Sequence, residues 1–270
     1  MTGKTENGKP EGLGDQVRLR LDQLCVAIGF MTRLPVPYRT APVARTVWAF
    51  PFAGALVGFL SGAVLWGMVT IGLSPVVAAF AALAASALVT GALHEDGLAD
   101  CADGFWGGHT PERRLEIMRD SRSGVYGVLA LILATGMKAM LIVDLVVDLG
   151  PAAVWPMLIA VHAMARSALP LAMMQFPMAT KTGLAAQVGA PNGSTVVAGL
   201  ILATFLACFV LIFIPLWILP VLMAILCGVA MLMGGLARSK LGGVNGDSLG
   251  ATEQISEITC LIVLAIILGT

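Results

Sequence analysis

Apolar residues fill long blocks of this chain, and the polar positions gather in short stretches between them. A helix needs roughly 20 apolar residues to cross a bilayer, because about 30 Å of hydrocarbon is covered at about 1.5 Å per residue. Blocks of that kind lie at 47–72, 76–93, 125–147, 152–173 and 255–268, and two more share the run 196–235, where Pro215 and Pro220 mark a turn. The pattern predicts an all-α polytopic membrane helix bundle of about seven transmembrane helices, forming a single integral membrane domain over 1–270. Residues 1–20 read as a flexible polar tail. The stretch 24–31 is apolar but too short to span; with the alternating residues 17–21 before it, it reads as an interfacial or re-entrant segment. Gly54, Gly58 and Gly62 recur every four residues in the first span, a small-residue face suited to close helix packing.

Charge placement sets the expected topology. Arg18, Arg20, Arg33, Arg39 and Arg45 precede the first span. Arg113, Arg114, Arg119 and Arg122 follow the second, Lys181 the fourth, and Arg238 and Lys240 the sixth. The turns near Leu73, Gly150 and Leu219 hold no Lys or Arg. Basic loops favour the cytoplasm, so the N-terminus is expected inside and the C-terminus outside. The first residues lack the basic-then-apolar pattern of a cleaved signal. Composition agrees: 58% of residues are hydrophobic and 12% charged, about half the charged share of a soluble domain. A net charge of +0 gives no case for nucleic acid. Five scattered cysteines with no CxxC pair suggest neither a disulfide framework nor zinc.

The most informative polar segment is 93–104. If the second helix continues through it, Asp96, Asp100 and Asp103 stand at i, i+4 and i+7 and share one stripe. Like charges so placed repel. A divalent cation would offset that, and hard oxygen ligands suit magnesium, manganese or calcium; the alternative is a solvated loop cap. Zinc is disfavoured, since His94 and His109 lack paired spacing and Cys101 stands alone. A second cluster runs Arg119, Asp120, Ser121, Arg122 ahead of the third span. Guanidinium groups grip phosphate, but a positive-inside anchor explains the same residues. A third, glycine-rich segment at 242–250 offers Asn245 and Asp247 as oxygen ligands, or is a flexible connector. Inside the apolar blocks, Lys138 needs a partner or cavity. His162 and Arg166 sit at i, i+4, with snorkelling the plain account of Arg166. The segment 180–184 is a lid or a connector. No Walker A, dinucleotide, HExxH or nucleophile-elbow motif is present.

Taken in order, four segments resemble the cobalamin phosphate synthase family, also called adenosylcobinamide-GDP ribazoletransferases: 30–37, ending Leu34, Pro35, Val36, Pro37; 91–104, with His94, Glu95, Asp96, Gly97, Asp100, Asp103 and Gly104; 116–122; and 245–251. The resemblance spans nearly the whole chain. It implies a multi-pass enzyme of the cell inner (cytoplasmic) membrane with its site facing the cytoplasm. Such an enzyme joins adenosylcobinamide-GDP to α-ribazole or its 5'-phosphate and releases GMP. It further implies Mg2+ held by Asp96, Asp100, Asp103 and Asp247, and phosphate or substrate contacts from Arg33, Arg119, Arg122 and Asn245. Asp103 or Asp120 is then the expected proton acceptor. A homo-oligomer, or contact with other cobalamin-assembly enzymes, stays open. Two other classes compete. CDP-alcohol phosphotransferases share the opening of the motif at 100–104, but Gly107 and Gly108 stand where that family requires Ala-Arg. A secondary transporter would place its ionisable residues at the bilayer midplane on interrupted helices, whereas this acidic stripe falls at a helix mouth.

Overall fold

The computed structural model describes residues 12–180, 188–210, 215 and 217–268. Among them the helices are α1 (Leu13–Met31), α2 (Phe50–Thr70), α3 (Pro75–Thr90), α4 (Leu93–Gly107), α5 (Pro111–Ile117), α6 (Val125–Leu149), α7 (Pro151–Gln175), α8 (Gly193–Val210), α9 (Ile218–Leu241) and α10 (Gly246–Leu268). The all-α expectation holds, but the count of seven spans does not carry over directly. Among the described residues, five helices are long and apolar enough to cross a membrane: α2 with the turn before it (Val47–Thr70), α6, α7, α9 and α10. α3 reaches that length only together with α4, from which it is bent by 92°, and α8 is apolar but shorter.

The bend has a local cause. Gly91 (φ 68°) and Ala92 (φ 55°) both adopt the left-handed conformation, which ends α3 at Thr90. The Gly91 N–H caps the carbonyls of Ala87 and Leu88, a common helix stop. The expectation that the second span runs on through the aspartates is therefore corrected. They ride on a separate helix set nearly at right angles. Residues 13–20, read as part of a flexible tail, form the first part of α1. That helix turns Gln23, Ala27 and Met31 inward and leaves Leu13, Val17 and Leu21 exposed.

α7 lies at the centre of the bundle, and α2 packs along it. Cβ atoms added at Gly54 and Gly58 would fall 2.2 Å from the His162 carbonyl oxygen and 2.3 Å from that of Leu158; one at Gly62 would fall 2.2 Å from the Trp155 ring. The small-residue face is thus the α2–α7 contact. Ends of several helices meet at one pole of the bundle. The Val89 carbonyl at the end of α3 accepts from the Arg33 N–H at 2.7 Å. The Ala179 N–H donates to Val244 and the Val244 N–H to Pro177, both at 2.8 Å, joining the segments after α7 and before α10. Arg114 of α5 donates through Nη1 to the Lys240 carbonyl at the end of α9, 2.9 Å away.

Candidate active site

A cavity of about 380 Å³ opens at this pole. Its rim carries Asp96, Arg119, Thr180, Asn245 and Asp247. α4 crosses the N-terminal turn of α10 at Gly97, where an added Cβ would fall 2.7 Å from the Asp247 carbonyl oxygen. That close crossing brings Asp96 and Asp100 of α4 beside Asp247 of α10. Asp96, Asp247 and Asp103 all act repulsively on Asp100. The side-chain carboxylates of Asp96 and Asp100 make no hydrogen bond or ion pair with any described residue. Asp247 Oδ2 accepts from Asn245 Nδ2 at 2.8 Å.

Asn245 is fixed by the helix it starts. Its Oδ1 accepts from the Ser248 N–H (3.0 Å), while Ser248 Oγ accepts from the Asn245 N–H (2.9 Å). This is a reciprocal N-terminal cap of α10. Its amide nitrogen is left to orient Asp247. Expected as a substrate contact, Asn245 is foremost a cap that aims a carboxylate.

The other expected residues separate. Asp103 is buried, and its two oxygens accept from the Gly124 N–H (2.7 Å) and the Gly127 N–H (2.9 Å) at the start of α6. A carboxylate there satisfies free donors and complements the helix dipole. Asp103 thus docks α4 onto α6, with each of its oxygens already accepting one hydrogen bond. Asp120 is bound to Arg122 through both oxygens, at 3.2 and 2.8 Å, on the exposed loop. That pairing removes both residues from the set of free groups. The Arg119 guanidinium lines the cavity and makes no hydrogen bond or ion pair with a described residue, so it is the free guanidinium of the basic cluster. Arg33 lies over the α3–α4 corner: a Cβ at Gly91 would fall 2.5 Å from its Nε. Thr180 borders the cavity, while Lys181 and the rest of 180–184 lie outside the described residues.

Hard carboxylates with no ion-pair partner among the described residues suit a divalent cation. No three of the four aspartates bring their oxygens within 4.8 Å of one another. Such spacing does not make an all-protein cage. A cation held there would take its remaining ligands from water or substrate.

Beneath the rim lies a polar network that sequence reasoning found only in part. Lys138 Nζ of α6 donates to Gln254 Oε1 (2.7 Å) and Glu257 Oε2 (3.1 Å) of α10. His162 of α7 pairs with Glu257. Arg166, 1% exposed, reaches Glu257 Oε1 at 3.1 Å and lies against Glu253 as an ion pair without an aligned hydrogen bond. Gln254 Nε2 donates on to Glu253 (3.0 Å) and to Glu95 of α4 (3.3 Å). Arg166 therefore does not snorkel; it is a counter-charge. His162, Glu253 and Glu257 also show metal-site spacing, but Lys138 and Arg166 supply the positive charge there. Glu253 and Glu257 sit at i, i+4 in an apolar run, as His162 and Arg166 do. Matching the buried cations to that second pair was the available signal.

The fold and site define a multi-pass helical membrane protein whose chemistry is concentrated in a carboxylate-rimmed cavity at one pole of the bundle. The family model described as cobalamin-5-phosphate synthase matches residues 23–265, and the chain belongs to that family. It is 41% identical over 256 residues to a protein of Bradyrhizobium diazoefficiens, covering 93% of this chain and 96% of that one. It is 42% identical over 246 residues to one of Rhizobium etli, covering 88% and 94%. A Brucella canis protein is 38% identical over 264 residues, covering 95% and 98%. All three are named adenosylcobinamide-GDP ribazoletransferase. No solved structure matches the chain.

Proposed function

We propose that this protein is an adenosylcobinamide-GDP ribazoletransferase that uses Mg2+, with its site facing the cytoplasm across the inner membrane. The observation that carries the reading is the set Asp96, Asp100 and Asp247, mutually repulsive and without a cationic partner, on a cavity rim that also presents the free Arg119. These three carboxylates would hold the metal. When bound, it supplies neutralisation of the negative charge on a diphosphate leaving group.

The chain's own groups do the rest. Arg119 is placed to grip phosphoryl oxygens, where a guanidinium offers paired donors. Asn245 keeps Asp247 aimed at the rim. A ribose hydroxyl of the ribazole attacks the phosphorus attached to the cobinamide. The bond from that phosphorus to the GMP oxygen breaks, and GMP departs with the electron pair. Asp103 and Asp120 already accept hydrogen bonds elsewhere, and the hydroxyl proton is taken up by water at the open rim.

The test is GMP release by purified protein given adenosylcobinamide-GDP, α-ribazole phosphate and Mg2+, beside Asp100→Asn. Release should require the metal and yield a corrinoid product. The variant should lose at least the roughly tenfold to hundredfold that even outer partners of a metal site contribute. Metal-independent release, or an undiminished variant, would remove the carboxylates from the site. A CDP-linked alcohol as the better substrate would favour the lipid head-group class.

A further inference from the structure

The buried polar network reaches the cavity at His94. This residue stands in the first turn of α4, is 3% exposed and lines the cavity wall. α10 passes close to its backbone: a Cβ added at Gly250 would fall 3.3 Å from both the Cα and the carbonyl oxygen of His94. The two ring nitrogens face different surroundings. Nδ1 turns to the network, 3.5 Å from Arg166 Nη2 and 3.8 Å from Glu253 Oε2. Nε2 makes no hydrogen bond with a described residue. The described side-chain atoms that are sealed from solvent without a partner are Glu95 Oε2, Arg166 Nε, Glu253 Oε1 and Ser256 Oγ. Nε2 is not one of them, so it opens on the cavity that His94 lines.

Arg166 decides what that nitrogen can do. A guanidinium has donors and no acceptor, so the Nδ1 facing it is the accepting nitrogen. The Glu253 oxygen is beyond hydrogen-bond reach of Nδ1. The ring proton then sits on Nε2, the tautomer being set by the contact at the other nitrogen. An Nε2 that carries hydrogen has no lone pair for a metal or a proton; it is a donor. We propose that His94 is a catalytic residue that donates this Nε2–H to a non-bridging oxygen of the substrate's diphosphate, and that Arg166 is the positioning residue that fixes the tautomer. The proposal rests on the transfer reading above. Asp96, Asp247 and Arg119 line the same cavity, so a diphosphate gripped by them lies within it. Asn245, also on the wall, has its amide nitrogen committed to Asp247. A fixed, unpaired donor at the wall needs an acceptor from the ligand, and one aimed at developing phosphoryl charge acts without reorganising. Nε2 keeps its hydrogen throughout; the nucleophile's proton goes to water as above.

The chain has 3 histidines, so full-length protein labelled with 15N-histidine in lipid nanodiscs gives a spectrum simple enough to assign, His94 by its absence in His94→Gln. The wild type should show the His94 proton on Nε2. Inorganic pyrophosphate with Mg2+ should shift that Nε2–H resonance and leave His162, deep in the network, unmoved. A proton on Nδ1, or an Nε2–H resonance that pyrophosphate does not move, would overturn the proposal. These wild-type spectra do not depend on how any variant folds. In turnover, His94→Leu should lower kcat by roughly 10²–10³-fold, the scale of one lost donor to a charged transition state, and equally with α-ribazole and with its phosphate as acceptor. His94→Gln, which keeps an amide N–H, should lose less. A loss confined to the phosphorylated acceptor would overturn the assignment to the diphosphate. Wild type that answers pyrophosphate but turns over neither acceptor would overturn the transfer reading and leave His94 a phosphate donor.

Discussion

The Arg122 guanidinium, hydrogen-bonded to Asp120, and next the Arg122 backbone N–H hold the Asp120 carboxyl down to about 2, against an ordinary value of 3.8. The sign follows directly. A depressed carboxylate is ionised at every pH above that value and gains its proton only below it. Asp120 therefore cannot supply the acid limb of a pH–rate profile near neutrality, which reports groups that titrate there. Asp120→Asn should leave the position of that limb unmoved and change kcat by no more than a few-fold. A limb displaced in the variant would return Asp120 to the chemistry. At this scale the sequence identified the chemical types but not the neighbours of each carboxylate. Asp96, Asp100, Asp103, Asp120 and Asp247 look alike in a string of letters. Which hydrogen bonds each accepts depends on its neighbours: Gly124 and Gly127, from another segment, for Asp103, and residues two positions away, Arg122 and Asn245, for Asp120 and Asp247. The Asp120 and Asp247 pairings, each across two residues, are the local ones; the Asp103 contacts are not.

Helices in this bundle approach closely where glycine permits it, and the α2–α7 contact gives the sharpest comparison. At Gly58 an added Cβ meets the Leu158 carbonyl at 2.3 Å and the Ile159 Cα at 2.7 Å. Both are backbone atoms, so relief requires the helices to part. At Gly67, in the same helix, nothing lies within 4 Å. Gly58→Val should lower the thermal midpoint of detergent-solubilised protein by an amount corresponding to about 1–3 kcal/mol or more. Gly67→Ala should leave it level or raise it, since alanine is the better helix former by about 1 kcal/mol. Equal effects at the two positions would count against tight α2–α7 packing. This contact was readable from a four-residue spacing because a helix repeats its faces regularly. The corner at Gly91–Ala92 was not, because it lies in an apolar context that also suits a continuing helix. Only one of its two left-handed residues is a glycine. That corner decides the site, for it turns α4 across the pole and carries Asp96 and Asp100 to α10.

Charge at the level of the whole molecule sorts the two poles. The described loops around the cavity hold Arg33, Arg113, Arg114, Arg119 and Arg122, with Arg238 and Lys240 closing α9. The turn between α2 and α3 carries no basic residue, and the end of α6 is acidic, with exposed Asp144 and Asp148. Lys138 and Arg166 do not enter this comparison, because both are buried and matched by Glu253 and Glu257. An excess of Lys and Arg near span ends marks the cytoplasmic side, and nucleotide-activated substrates are found on that side too. Charge placement, and substrate location where the proposed reaction holds, point to the orientation proposed above. Cysteines introduced singly at Ser121, on the cavity pole, and at Asp148, on the other, make the orientation measurable; both positions are exposed. With the parent protein's own cysteines as background, a membrane-impermeant maleimide should label Asp148→Cys in right-side-out membranes and Ser121→Cys only after the membrane is opened. The reverse pattern would place the cavity outside. It would leave the geometry of Asp96, Asp100 and Asp247 intact but deprive the proposed reaction of its substrates.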